Sequence, residues 1–118
     1  MINLLQILKK AILNIPIYGA VNFHAGKLPA YRGRNVINWA IMNGEEEIGI
    51  TSHYMDEGID TGSIILQHLM PISWTDTYKN VLDSVTRNMP NLVSKTISLI
   101  AEGKTDPLTQ ELGAGTYY

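Results

Sequence analysis

Asn22 and His24 lie two residues apart at the end of an apolar, β-branched run, Ile17 to Phe23, that reads as a short buried strand. Period two puts both side chains on one face of a sheet. The end of a strand opening into a loop is where α/β sheets usually carry ligands and chemistry. A carboxamide and an imidazole aimed at one point suit acyl transfer: the amide hydrogen-bonds a developing oxyanion, and the imidazole takes a proton from an attacking amine. A third group, Asp60, stands in the turn Asp56-Glu57-Gly58-Ile59-Asp60-Thr61-Gly62, whose glycines let the backbone approach a ligand closely. If that turn folds toward His24, its carboxylate favours the imidazolium and raises the His24 pKa. Spacing alone leaves a plainer reading open, because a strand-end Asn and an Asp between glycines are both common turn formers.

The elements that must position these groups follow from periodicity. Leu4, Leu5, Leu8, Ala11 and Ile12 share one helical stripe that Pro16 ends. After the strand, His24 to Arg34 is a loop marked by Gly26, Pro29 and Gly33. Asn35 is placed to cap a helix through Asn43, with Ile37, Ala40 and Ile41 inward and Gly44 as its stop. Ile48 to Met55 and Ile64 to Leu69 read as strands. Thr75 is placed to cap a long helix with the stripe Tyr78, Val81, Leu82, Val85, Met89, Leu92 and Val93, which Pro90 should kink or divide and Gly103 end. The tail, 103–118, has little pattern. The order predicts one α/β domain over residues 1–118, a small three-stranded sheet flanked by helices. Three strands make a thin sheet, so either the first helix covers its open edge or another chain does, and the second is favoured.

Composition narrows the function. The 118 residues are 45% hydrophobic and 17% charged, the profile of one globular domain able to bury roughly two-thirds of its unfolded surface. A net charge of −2 argues against a nucleic-acid partner, whose phosphates call for a basic excess. The absence of cysteine excludes disulfides, thiolate metal sites and cysteine nucleophiles. The apolar run Ile2 to Leu8 is too short to span a bilayer and is followed, not preceded, by Lys9 and Lys10, the wrong order for a secretory signal. A cytoplasmic location without membrane contact is the expectation.

The stretch Asn22-Phe23-His24-Ala25-Gly26-Lys27-Leu28-Pro29-Ala30-Tyr31-Arg32-Gly33-Arg34-Asn35 resembles the signature loop of the folate-dependent formyltransferase family. Gly49-Ile50-Thr51-Ser52-His53-Tyr54, the Asp56 to Gly62 turn and Ile65-Leu66-Gln67 follow in the family's order and separation. The resemblance implies part of a Rossmann-like catalytic domain, its C-terminal half, with Asn22, His24 and Asp60 catalytic. It implies 10-formyltetrahydrofolate as donor, held at Asp56, Gly58, Ile59 and Asp60, and a primary amine as acceptor. The oxyanion would form against Asn22 and protonated His24, with no metal. Family members acting on initiator tRNA and glycinamide ribonucleotide typically read Ser-Leu-Leu-Pro where Gly26-Lys27-Leu28-Pro29 stands here. That wording, with Arg32-Gly33-Arg34-Asn35 and Thr116-Tyr117-Tyr118, is similar to N-formyltransferases acting on nucleotide-linked amino sugars.

Lys27, Arg32 and Arg34 could grip a sugar-nucleotide phosphate, a solvated basic loop being the alternative. His53 is expected to be a hydrogen-bonded structural histidine, His68 and Glu45 to Glu47 to be solvated, Trp39 to be core and the paired tyrosines to fray. The family's opening strands and helices would precede Met1, and a further region would follow Tyr118. The implied protein is therefore completed by self-association or by a partner chain; otherwise it is a non-catalytic remnant, an oligomeric or binding module.

Overall fold

Glu47–Tyr54 is the middle strand of the sheet, and its alternation of side chains decides which groups face which way. In the computed structural model, which describes residues 7–118, the elements are α1 (Lys10–Leu13), β1 (Val21–His24), α2 (Val36–Met42), β2 (Glu47–Tyr54), β3 (Ile64–Pro71) and α3 (Tyr78–Ala101). The order across the sheet is β1-β2-β3, antiparallel throughout. Asn22 pairs with His53, His24 with Thr51, and Thr51 with Gln67, so these five side chains share one polar face. Phe23, Ile48, Ile50 and Met70 turn to the other face, where Val36, Ile37 and Ala40 of α2 and Val81, Val85 and Leu92 of α3 close the core. The three-stranded sheet flanked by helices is the architecture the pattern implied. No helix among the described residues is long and apolar enough to cross a membrane.

Several local expectations change. β1 starts at Val21, not Ile17, because Gly19 at φ +84° bends the chain and leaves Ile17 94% and Tyr18 72% exposed. α1 is a single turn in which Leu13 is buried and Ile12 exposed, so the predicted stripe does not form there; Leu4 and Leu5 lie outside the described residues. Asn35 precedes α2 but adopts left-handed backbone (φ +53°), and its side chain caps nothing; only its carbonyl accepts, from the Trp39 N–H at 3.1 Å. Thr77, not Thr75, caps α3, in a reciprocal capping box with Asn80. Thr75 is instead engaged with the Ser73 hydroxyl at 3.0 Å inside the preceding turn. Pro90 does not divide the 24-residue helix: it lies on the exposed side, where water can serve the carbonyl its missing N–H leaves unpaired.

The tail is ordered rather than frayed. The Arg32 N–H donates to the Thr116 carbonyl (3.0 Å), the Tyr118 N–H to the Arg32 carbonyl (2.8 Å) and the Arg34 N–H to the Tyr118 carbonyl (3.1 Å). This parallel bridge brings the Tyr118 ring between Tyr31 (centroids 5.2 Å apart) and Trp39 (4.9 Å), both stacked on it. Trp39 is therefore a half-exposed stacking partner and not core. Tyr118 thereby holds the loop that follows β1. Tyr118→Ala should lower the unfolding free energy by about 2 kcal/mol in urea titrations, and an unchanged midpoint would show that the tail does not brace this loop.

Candidate active site

Asp60 is the point on which the polar face converges. Its Oδ1 accepts from Asn22 Nδ2 at 3.4 Å and lies 3.5 Å from His53 Nε2; its Oδ2 accepts the Gly33 N–H at 3.0 Å and lies 3.5 Å from His24 Nδ1. Asp60 itself has left-handed backbone, φ +54°. The turn leading to it is built by Asp56, whose Oδ1 accepts the Gly58 N–H (2.9 Å) and the Thr61 hydroxyl (2.5 Å). A Cβ on Gly58 would stand 2.0 Å from Thr61 Oγ1, so only glycine admits this closure.

His24 is buried and fixed by the loop after it. Its Nε2–H donates to the Tyr31 carbonyl at 2.6 Å, which selects the tautomer and leaves the Nδ1 lone pair toward Asp60. Gly26 makes this possible, since a Cβ there would meet His24 Nε2 at 2.5 Å and the Tyr31 carbonyl oxygen at 2.6 Å. The loop is tied to the sheet by Thr51, whose hydroxyl donates to the Gly26 carbonyl (2.7 Å), and by Gln67, whose amide donates to the Leu28 carbonyl (3.0 Å). The expected rise in the His24 pKa is reversed: burial depresses it, and the attraction of Asp60 and the Tyr31 carbonyl only partly offsets that. Free His24 is therefore neutral at pH 7, not an imidazolium. Burial opposes ionisation of Asp60 too, but His53, His24 and the Gly33 N–H together outweigh it and hold the carboxyl below its ordinary value.

His53 is the structural histidine expected, and more. It is 2% exposed, its Nδ1–H donates to the Tyr54 carbonyl at 2.8 Å, and Nε2 lies 3.4 Å from Asn22 Nδ2 as well as facing Asp60. Its place opposite Asn22 in the register could have been found from the two strand patterns together. Glu45 is not merely solvated: it accepts the Tyr31 hydroxyl at 2.6 Å, and burial together with this carboxylate pushes the phenol up to about 12. His68 is on the surface, as expected.

A groove of about 520 Å³ opens over Asn22, His24 and Asp60, within the range of small-molecule sites. Asp56, Gly58 and Ile59 line it. Of the three basic loop residues, Arg34 lines the groove; Lys27 instead pairs with Glu47, and the Arg32 guanidinium donates to the Leu112 carbonyl at 3.4 Å. Tyr117, from the tail, also lines the groove. Among the described residues no group of three or more His, Asp or Glu is arranged to hold a metal ion.

The two perturbed groups make stability depend on pH in a defined direction. Below its ordinary value of 6.5, His24 is protonated in the unfolded chain before it is in the fold, so stability falls with pH there. Below 3.8, unfolded Asp60 likewise takes up its proton first, and stability falls again. Thermal unfolding from pH 8 down to pH 3 should show both declines, and His24→Asn should lack the first; a parent protein whose stability is flat from pH 7 to pH 5 would contradict the buried, neutral His24.

Methionyl-tRNA formyltransferase of Parabacteroides distasonis is 42% identical over 106 residues, covering 90% of this chain and 33% of that protein. The chain thus spans about a third of the length of the curated relatives it matches. The crystal structure of WlaRD, a sugar 3N-formyl transferase in the presence of dTDP and 5-N-formyl-THF, superposes with a TM-score of 0.78 at 34% identity, covering 83% of this chain and 36% of that one. PseJ from Anoxybacillus kamchatkensis, in complex with UDP-4,6-dideoxy-4-formamido-L-AltNAc and tetrahydrofolate, gives a TM-score of 0.83 at 28% identity, over 96% of this chain and 59% of that one. Residues 2–97 match the formyl transferase family model, and with most of its length so matched the chain belongs to the formyl transferase family.

Proposed function

We propose that this chain transfers a formyl group from 10-formyltetrahydrofolate to a primary amine, that of a nucleotide-linked amino sugar. The observation that carries it is the convergence of Asn22, His24 and His53 within 3.5 Å of the Asp60 carboxylate on the wall of a ligand-sized groove. The groove lining supports a folate donor: Gly58 and Ile59 offer backbone and a partly exposed apolar side chain beside the carboxylate, and the volume lies within the range of small-molecule sites. The donor supplies a formyl carbon open to attack by an amine.

The chain's own groups supply the rest. Asn22 Nδ2 is the neutral donor for charge developing on the formyl oxygen. Neutral His24 accepts the amine's proton at Nδ1, because its Nε2–H is committed to the Tyr31 carbonyl. The proton then sits opposite Asp60 Oδ2, whose charge stabilises the imidazolium that forms. As the tetrahedral adduct collapses, the bond from the formyl carbon to the donor's nitrogen breaks and His24 returns the proton to that leaving nitrogen, which releases tetrahydrofolate and restores neutral His24. An imidazolium at His24 is thus a product of the proton transfer and not the resting state. Sugar N-formyltransferases among the similar structures support the amino-sugar acceptor, and Arg34, which lines the groove, is the residue we assign to its diphosphate. A methionyl-tRNA acceptor is the second reading, favoured by the 42% identity to that enzyme.

Completion by a second chain belongs to the same proposal. β1 has a strand on one side only among the described residues, and Ile15, Ile17 and Tyr18 stand exposed beside it. Light scattering should give a mass above the 13.1 kDa protomer, whereas a monodisperse monomer would contradict completion by self-association. Calorimetric titration with 5-formyltetrahydrofolate should show saturable binding; none at high concentration would leave the non-catalytic module as the correct description. His24→Ala and Asp60→Ala should each lower turnover about 100-fold or more, and rates near the parent's would refute the roles given to them. Competition between a dTDP-linked amino sugar and methionyl-tRNA in the same assay separates the two acceptors.

A further inference from the structure

Asp60 is a non-glycine residue held in left-handed backbone, a conformation that a side chain disfavours and that persists only where its surroundings enforce it. The enforcing contact comes from the far end of the chain. The Gln110 side-chain amide nitrogen, Nε2, donates to the Asp60 carbonyl at 2.9 Å and to the Gly62 carbonyl at 2.6 Å. One amide group thus bridges two carbonyls separated by a single residue, which defines the path of the turn through Thr61. Gln110 is 8% exposed, and its Oε1 has no partner among the described residues, so turning the amide over would set an oxygen against two carbonyl oxygens. Its own position is anchored two residues earlier, where Leu108 and Ile64 exchange backbone hydrogen bonds at 2.8 and 2.9 Å. On the opposite side the turn is pressed against β2: a Cβ on Gly62 would stand 1.7 Å from the Tyr54 carbonyl oxygen.

We propose that Gln110 is a positioning residue for the site, clamping the backbone at Asp60 and Gly62 so that the Asp60 carboxylate is presented to His24. This rests on the role given to Asp60 above, but it concerns geometry that exists without substrate. His24 faces Asp60, His53 and the Tyr31 carbonyl, so a displaced carboxylate is read directly in the titration of the His24 ring.

The test is a mutant cycle followed by histidine ring NMR on the whole chain. Gln110→Leu, which keeps bulk and removes the donors, should lower the His24 titration midpoint by about half a pH unit, because attraction to Asp60 is weakened. In an Asp60→Asn background the same substitution should move the midpoint no further. Equal shifts in both backgrounds, or none in the parent, would overturn the clamp. Should Gln110→Leu fail to fold, Gln110→Ala supplies the same cycle with space for a bridging water. The readout needs no turnover, so an inactive protein with a non-additive cycle would sink the proposed reaction and keep the clamp, and an active protein with an additive cycle the reverse.

Discussion

A carboxylate withdrawn from water is tolerated only where charge or donors surround it, and Asp60 meets that condition from several sides at once. Strand β1 contributes the Asn22 amide and the loop after β1 the Gly33 N–H as donors, while His24 of β1 and His53 of β2 stand 3.5 Å away as the groups that can take up a compensating proton. Those groups come from three segments, so the ionised side chain keeps all its partners in its half-buried place only when β1, its following loop and β2 are folded together. The site is consequently a test of the whole tertiary arrangement. Loosening any one segment would leave a charge with too few partners.

The same burial decides the state of the histidine. An imidazole beside a carboxylate would be charged in water, yet here the loss of solvent outweighs the attraction. The Tyr31 carbonyl then chooses which nitrogen keeps the proton, and it reaches His24 only because residue 26 has no side chain. Burial, tautomer and a missing Cβ together turn a common residue into a base with one defined basic atom.

Polar and apolar work are divided between the two faces of one small sheet. Ile48, Ile50 and Met70 bind it to α2 and α3, while the opposite side carries the titratable groups and the ties to the loop. Even within the apolar side a hydroxyl pair is fully buried, Thr96 donating to Ser52 at 2.9 Å, and it is tolerated because each partner satisfies the other. The tail adds a second layer of support. Tyr118 stacks between Tyr31 and Trp39, and Tyr31 is the residue whose carbonyl holds His24. The contact at Tyr118 is thereby linked to His24 through Tyr31.

Local pattern in the chain was enough to establish the strand alternation, the loop between β1 and α2, the long apolar stripe of α3 and the pairing of Asn22 with His24 on one face. Those features depend on residues a few positions apart, and the period of a strand or helix encodes them directly. Sequence motifs were also enough to single out Asp60 and the glycines of its turn. Folding alone decided that burial would overrule Asp60 at His24, that Lys27 would pair with Glu47, that Trp39 and Tyr118 would stack, and that Gln110 would reach the turn about Asp60. Desolvation is set by everything that packs around a group, and contacts twenty or more residues apart leave no periodic trace in the chain. For that reason neither could be read before the structure.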